Sequence, residues 1–523
     1  MLAPAASLSV ERQRAQLRVE RGLGVTLLLV TALAYGLLLA TGQVVTLPIL
    51  MAAGCASLLI AAIIIRRPIT GLYLLVFAAL FVEQWGIVGV DPLAWRLHFY
   101  ETLSGTYGIP ISASPIEMLI LVSLLAAALA AGRTGARWYH GVLNWPVVFF
   151  LLTVVASLVW GIVGPNTYST FWLNAAWAES RSFFYLGAAY LLAAQLIHNR
   201  ARLRAFVWLI VAAVGLKSLQ GVERYVVMRA AGQRLDSIVA HEDVVFFAAF
   251  FLLLSAFLLF QSGRRQRIVM SWCAPAVLVT MLVTQRRIGF VVLAAGFLLL
   301  GVYLLRTRPA LFWRLAPIAI ILLTLYTTAF WNHTGAVAEP VRAIRSVFAP
   351  TIERDRLSNA WRDLEKQNIA YNIRNAPLTG LGFGRPYTFL VPEPSLDATG
   401  FVYWRYIAHN AIFWVWMKMG VVGFIAFWYL IGSAIVFGLV TLRQLTDGYL
   451  KAVALTAVGL VVMQVFFSYG DLGLTYSRTM IFLGAMLGVL VRLPSLDRAV
   501  APVAAAGKPA VASARVLVER RAA

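Results

Sequence analysis

The feature that most constrains this chain is a succession of apolar runs, most of them roughly 17 to 22 residues long, the length of helix that a bilayer core demands. Inside lipid a backbone must satisfy its own hydrogen bonds, which a helix does within one segment. Fourteen runs fit, at about 23 to 40, 44 to 65, 69 to 89, 115 to 131, 144 to 164, 182 to 197, 205 to 221, 244 to 260, 268 to 284, 288 to 305, 315 to 330, 411 to 441, 451 to 468 and 479 to 491. Charged residues make up 13% of the chain, half the share of about 25% usual in soluble domains. The expectation is an all-α, polytopic transmembrane helix bundle. The first run could imitate a signal peptide, but a second follows at once and no clear small-residue cleavage site ends it, so it reads as a retained helix. Cys55 and Cys273 both lie inside apolar runs, which suggests neither a disulfide framework nor a zinc site, and no other ligand set for a metal is evident.

Charge gives the orientation. With a cytoplasmic N-terminus, the inner segments collect 25 of the 44 Lys and Arg, and every inner connection is basic, as the positive-inside rule requires. Both termini are then cytoplasmic. The expected division is a cytoplasmic segment 1–22, a bundle of about eleven spans over 23–330, an extracytoplasmic loop 331–410, about three spans over 411–491, and a disordered cytoplasmic tail 492–523. The net charge of +22 is largely topological, and no nucleic-acid module claims it.

The rule predicts few arginines on the outer side, so those found there are informative. Arg286 and Arg287 occupy a very short outer turn; a charge at membrane depth is costly and marks either a site or a snorkelling anchor. Arg181 stands at an outer span end, two residues after Glu179, where a local charge pair is the competing reading. The segment 349–373 reads as an outer helix lying across the site. Between Asn372 and Phe427, Gly380, Gly382 and Gly384 alternate, a spacing that allows tight turns and close backbone approach. His409 then sits at a polar-to-apolar boundary beside Asn410, placed either to act as a base near neutral pH or to cap a helix. Lys217 and Lys418 are the two lysines within spans; Lys418 either pairs with a carboxylate or snorkels.

Together these residues resemble the O-antigen ligase and O-antigen polymerase family of bacterial membrane glycan transferases. The resemblance is carried by Pro377 to Gly384, by His409 and Asn410, and by Gly420 and Gly423 in the following helix. Arg287 takes the place of the family's arginine, while Arg286 replaces a small polar residue. Arg181 opens a Tyr- and Leu-rich helix as in the family, and Arg356 resembles an arginine shortly before a tryptophan, here Trp361. Lys418 departs from a position that is often acidic. The resemblance implies a GT-C-like glycosyltransferase architecture in the bacterial cytoplasmic membrane, with a catalytic loop on its outer face and a polyprenyl-pyrophosphate-linked glycan as donor. It implies metal-independent transfer without a cofactor: His409, Arg287 and Arg181 catalytic, with Arg286, Arg356, Asn410 and the three loop glycines binding substrate. Lipid A core, a second lipid-linked repeat and a protein hydroxyl fit equally as acceptor, so ligase, polymerase and protein O-oligosaccharyltransferase stay open. A lipid-linked glycan transporter is the other class, although the internal repeat expected of one is not evident.

Overall fold

The computed structural model describes residues 47–84, 98–102, 113–135, 137–163, 170–233, 237–333, 335–349, 353–394 and 402–498. The expected span at 23 to 40, the N-terminal segment and the tail beyond Arg498 lie outside the described residues. Helices account for most of the described backbone. The first ten are α1 (Leu47–Arg66), α2 (Ile69–Phe81), α3 (Pro115–Thr134), α4 (Asn144–Val163), α5 (Thr170–Leu196), α6 (Arg200–Ala230), α7 (Asp243–Leu259), α8 (Arg264–Val283), α9 (Arg287–Thr307) and α10 (Pro309–Phe330). A 3-10 turn, Ala336–Ala338, leads into two polar helices, α11 (Glu339–Phe348) and α12 (Glu353–Asn375). The last three are α13 (Ala411–Gln444), α14 (Gly448–Gly470) and α15 (Ser477–Arg498).

Helix ends follow local chemistry. The Ser114 amide donates to the Glu117 carboxylate at 2.7 Å, with Pro115 in the first turn, and α3 stops where Gly135 turns left-handed at φ 63°. Asn199 caps α6 by accepting from the Arg202 amide at 2.9 Å, and Asp447 caps α14 by accepting from the Tyr449 and Leu450 amides.

Among the described residues, nine helices are long and apolar enough to cross a membrane. Helices occupy thirteen of the fourteen expected places, but not all reach spanning length, and a count of fourteen does not follow. The helix α2 ends before the buried Glu83, so a polar group sits where an apolar turn was expected, whereas α7 fills its expected place and starts at the buried Glu242–Asp243 pair. The helix α5 instead begins twelve residues early, because Glu179 and Arg181 find partners and do not interrupt it. The tail is also corrected: residues 492 to 498 continue α15.

The axis of the bundle is α15 against α5. A Cβ on Gly484 would stand 2.2 Å from the Leu186 carbonyl and one on Gly488 2.4 Å from the Tyr190 carbonyl, so glycines let the two backbones touch, the usual way membrane helices gain contact. Around this axis α14 packs on α13, α9 and α7. By contrast α10 buries none of its residues and is apolar on every side, as a lipid-facing helix is.

Lys217, whose partner the sequence left open, belongs to a buried charge network joining α2, α6, α7 and α15. It pairs with Glu83 and stands 3.8 Å from Asp243. Arg224 meets Glu83 at 3.1 Å, and Arg478 meets Glu242 at 3.0 Å and Asp243 at 2.6 Å. Three cations answer three carboxylates, so the cost of burying each charge is offset by a partner.

Candidate active site

The site is built on a broken helix. In α13, Gly420 adopts φ 67° and ψ −172° inside an otherwise helical run, which releases backbone groups that a buried helix must satisfy elsewhere. The glycine loop satisfies them. The Leu381 amide donates to the Met417 carbonyl at 2.8 Å, the Gly382 amide to the Lys418 carbonyl at 2.9 Å, and the Val421 amide to the Pro377 carbonyl at 3.0 Å. Two indoles fasten the same loop: Trp160 donates to the Gly380 carbonyl at 3.2 Å and Trp416 to the Pro377 carbonyl at 3.1 Å.

Glycine is required by contact as well as by conformation. Gly380, Gly382 and Gly384 have φ of 67°, 85° and 86°, a region that other residues rarely adopt. A Cβ on Gly382 would lie 2.6 Å from Gly161 of α4, and one on Gly380 2.5 Å from the Lys418 carbonyl. The alternating glycines thus bring the loop onto α4 and α13. Below it the fully buried Lys418 pairs with the equally buried Glu179 at 2.6 Å and donates to the Arg385 carbonyl, while Glu179 also accepts from the Gly384 amide. Glu179 therefore serves Lys418 and not Arg181, and Lys418 pairs rather than snorkels.

Twenty-five residues after Gly384 comes His409. The helix cap is its neighbour: Asn410 accepts from the Phe413 amide at 3.2 Å, and its buried Nδ2 has no hydrogen-bond partner within the protein. His409 instead faces α12. Its Nδ1 lies 2.9 and 3.0 Å from the two Glu365 oxygens, and its amide donates to the same carboxylate at 3.3 Å. Glu365 is 3% exposed, whereas the His409 side chain is 29% exposed, so one ring nitrogen is held and the other is open. Burial alone would push the imidazole pKa down, but the charge and hydrogen bond of Glu365, helped by Asp471, raise it above the ordinary value against the opposing charge of Arg362.

Further groups converge on the same place. Asp471, in the turn after α14, comes 4.0 Å from His241 in the turn before α7. The neighbours of His241 in sequence, Glu242 and Asp243, turn instead to Arg478. Burial and then the charge of Arg286 push the His241 pKa down, which leaves a neutral ring. Burial raises the Asp471 carboxyl, but the charges of His409 and Arg362 outweigh it and hold the group ionised. His409, Glu365, Asp471, His241, Arg286 and Arg362 therefore form one charged cluster.

The expected arginines are distributed around it. Arg287 turns away from the cluster and ties α9 to the loop helices, donating to Ser346, Asn359 and Ser358 at 3.0, 3.2 and 3.2 Å, with Asp355 at 3.8 Å. Arg181 donates to the Tyr100 carbonyl at 3.2 Å; its Nε is buried without a hydrogen-bond partner within the protein, and its charge reaches Tyr403. Arg356 is exposed and pairs with Glu353 one turn before it. The outer helix expected over 349–373 is α12, Glu353–Asn375. Sequence reading missed Glu365 and His241, which no local signal sets apart.

The cluster draws on residues from His241 to Asp471, but Glu365, the glycine loop and His409 lie in one stretch of 45 residues. A comparison with curated proteins gives no match. Residues 272–428, from within α8 through the loop helices to the first half of α13, match the family model described as O-antigen ligase, which supports the resemblance to the O-antigen ligase and polymerase family.

Proposed function

We propose that the protein transfers a glycan from a polyprenyl-pyrophosphate-linked donor to an acceptor hydroxyl on the outer face of the bacterial cytoplasmic membrane, within a GT-C-like arrangement of about fourteen spans. The observation that carries this reading is the His409–Glu365 contact at 2.9 Å, on a ring that keeps a second, open nitrogen. With Nδ1–H donated to Glu365, Nε2 bears the lone pair. It takes the acceptor proton as the acceptor oxygen attacks the anomeric carbon, the bond from that carbon to the pyrophosphate oxygen breaks, and polyprenyl pyrophosphate leaves. No metal enters these steps. Two negative charges or more depart, and arginine suits them because its planar fork stays charged and donates in pairs. Arg181, with its unpartnered Nε, and Arg286, beside the cluster, are positioned to receive them. Arg287 contributes by holding the loop helices over the site.

Ligase, polymerase and protein O-oligosaccharyltransferase share this chemistry and differ only in the hydroxyl presented to His409. The glycan that accumulates in a deletion strain identifies which of them operates.

Two expected results arise here. Arg287→Ala is expected to lower transfer roughly 10²-fold, the scale of a catalytic group displaced by about 1 Å when the loop helices are no longer held, and Arg287→Lys to restore only part, since an ammonium cannot span three acceptors. The assay is turnover of lipid-linked donor by purified variants. Wild-type turnover would remove Arg287 from the catalytic assembly. The orientation is tested by labelling: Leu357, 60% exposed on α12, replaced by cysteine in a background lacking Cys55 and Cys273, should react in intact cells with an impermeant maleimide. Reaction only after lysis would invert the topology.

A further inference from the structure

At the end of the bundle away from His409, the connections α1–α2, α3–α4 and α5–α6 surround a cavity of about 440 Å³, within the size range of small-ligand sites. The separation is large: along α6, Arg202 beside the cavity and Arg224 near the other end are 22 residues apart, roughly 33 Å at the helical rise. Arg66, Arg67, Arg137, Arg202 and His198 line the cavity, and no carboxylate among the described residues does. Arg202 is held in place, its Nη1 donating to the Leu196 carbonyl at 2.9 Å and lying 3.1 Å from the His198 ring. Arg67 is different. Its Nη1 is buried and has no hydrogen-bond partner within the protein, a cost that an incoming anion would remove. The first turn of α2, at Pro68 and Ile69, also opens here and adds the positive end of its dipole.

The remaining wall is apolar. Ala127, Ala130 and Ala131 come from the last turns of α3, with Trp138 and Leu196 beside them. Basic groups at the mouth with an apolar wall beside them suit an amphiphile with an anionic head.

We propose that this cavity binds the phosphate of an anionic phospholipid, with the guanidinium groups of Arg66, Arg67 and Arg137 around the head and its apolar part against Ala127, Ala130, Ala131 and Leu196. Basic pockets between membrane helices hold anionic head groups by this combination. Phosphate is the shared chemistry, and inorganic phosphate is the other source. The proposal stands independently of the chemistry at His409.

The test is native mass spectrometry of the full-length protein in neutral detergent, titrated with phosphatidylglycerol, phosphatidylethanolamine or inorganic phosphate. Wild type should retain phosphatidylglycerol in preference to phosphatidylethanolamine. Each arginine removed should weaken retention about fivefold, the weight of one basic residue at an anionic lipid surface. Arg137→Gln lies in an exposed connection and keeps the test readable if Arg67→Gln fails to fold; Arg67→Lys should retain part of the effect. Displacement of phosphatidylglycerol by millimolar inorganic phosphate would assign the site to free phosphate, and no displacement to the lipid. Equal retention of both lipids, or Arg137→Gln and Arg67→Gln proteins that bind like wild type, would overturn the proposal.

Discussion

Replacing His409 by alanine is expected to lower glycan transfer by about 10² to 10⁴, the usual contribution of a positioned general base, while donor binding changes little. The two effects separate because proton removal belongs to the imidazole and pyrophosphate contact belongs to the arginines. Fold should survive. The helix cap at this boundary is Asn410, and His409 presents a part-exposed ring to a single carboxylate partner, so its loss leaves no broken helix end. Turnover and donor affinity of the purified variant decide the matter. A folded His409→Ala protein that binds donor and transfers at more than about a tenth of the wild-type rate would remove the base from His409. The neutral His241 nearby would then be the next candidate.

The largest expected effect on stability lies one layer deeper. Lys418→Met should destabilise the protein by roughly 3–5 kcal/mol, the cost of removing one partner of a buried ion pair. Two further losses act together with this one: the Arg385 carbonyl loses its donor, and Glu179 is left buried beside the Gly384 amide. Glu179 can take up a proton, which sets the lower end of that range. The double variant Lys418→Met, Glu179→Leu should recover most of the loss, because it buries no charge at all. Thermal unfolding of the purified proteins in one detergent measures both. A single variant as stable as wild type would show that the pair does not hold the glycine loop.

How much of this was legible beforehand depended on which physical rule was in force. Spans are written in composition, because lipid tolerates little else, so helices appear at thirteen of the expected places. Their ends were less legible, since Glu83, Glu179, Asp243 and Arg478 look like interruptions in a linear string and become acceptable only when folding brings opposite charges together. His409 could be picked out because its boundary position is local. Glu365 could not, since 44 residues separate it from the ring it holds and nothing in α12 distinguishes it from the other carboxylates there. The glycines were visible as a need for left-handed backbone, but what they approach, the break at Gly420 and the small face at Gly161, is a tertiary fact. Arg287 illustrates the converse. Its place in the outer turn was readable, yet the contacts that occupy its fork come from two helices 59 to 72 residues away.

The central claim is that His409 works as a base whose ring is oriented and charged by Glu365, a positioning residue. The most direct measurement is the pH dependence of transfer in wild type and in Glu365→Gln. A base acts when unprotonated, so activity should fall as pH drops through the His409 pKa. Because Glu365 raises that pKa, the wild-type limb should lie above the ordinary imidazole value of about 6.5. In Glu365→Gln the burial and the Arg362 charge are no longer outweighed, so the limb should move to lower pH, and the plateau rate should fall because the ring is less well held. A limb at the same pH in both proteins would mean that another group titrates, and would contradict the account.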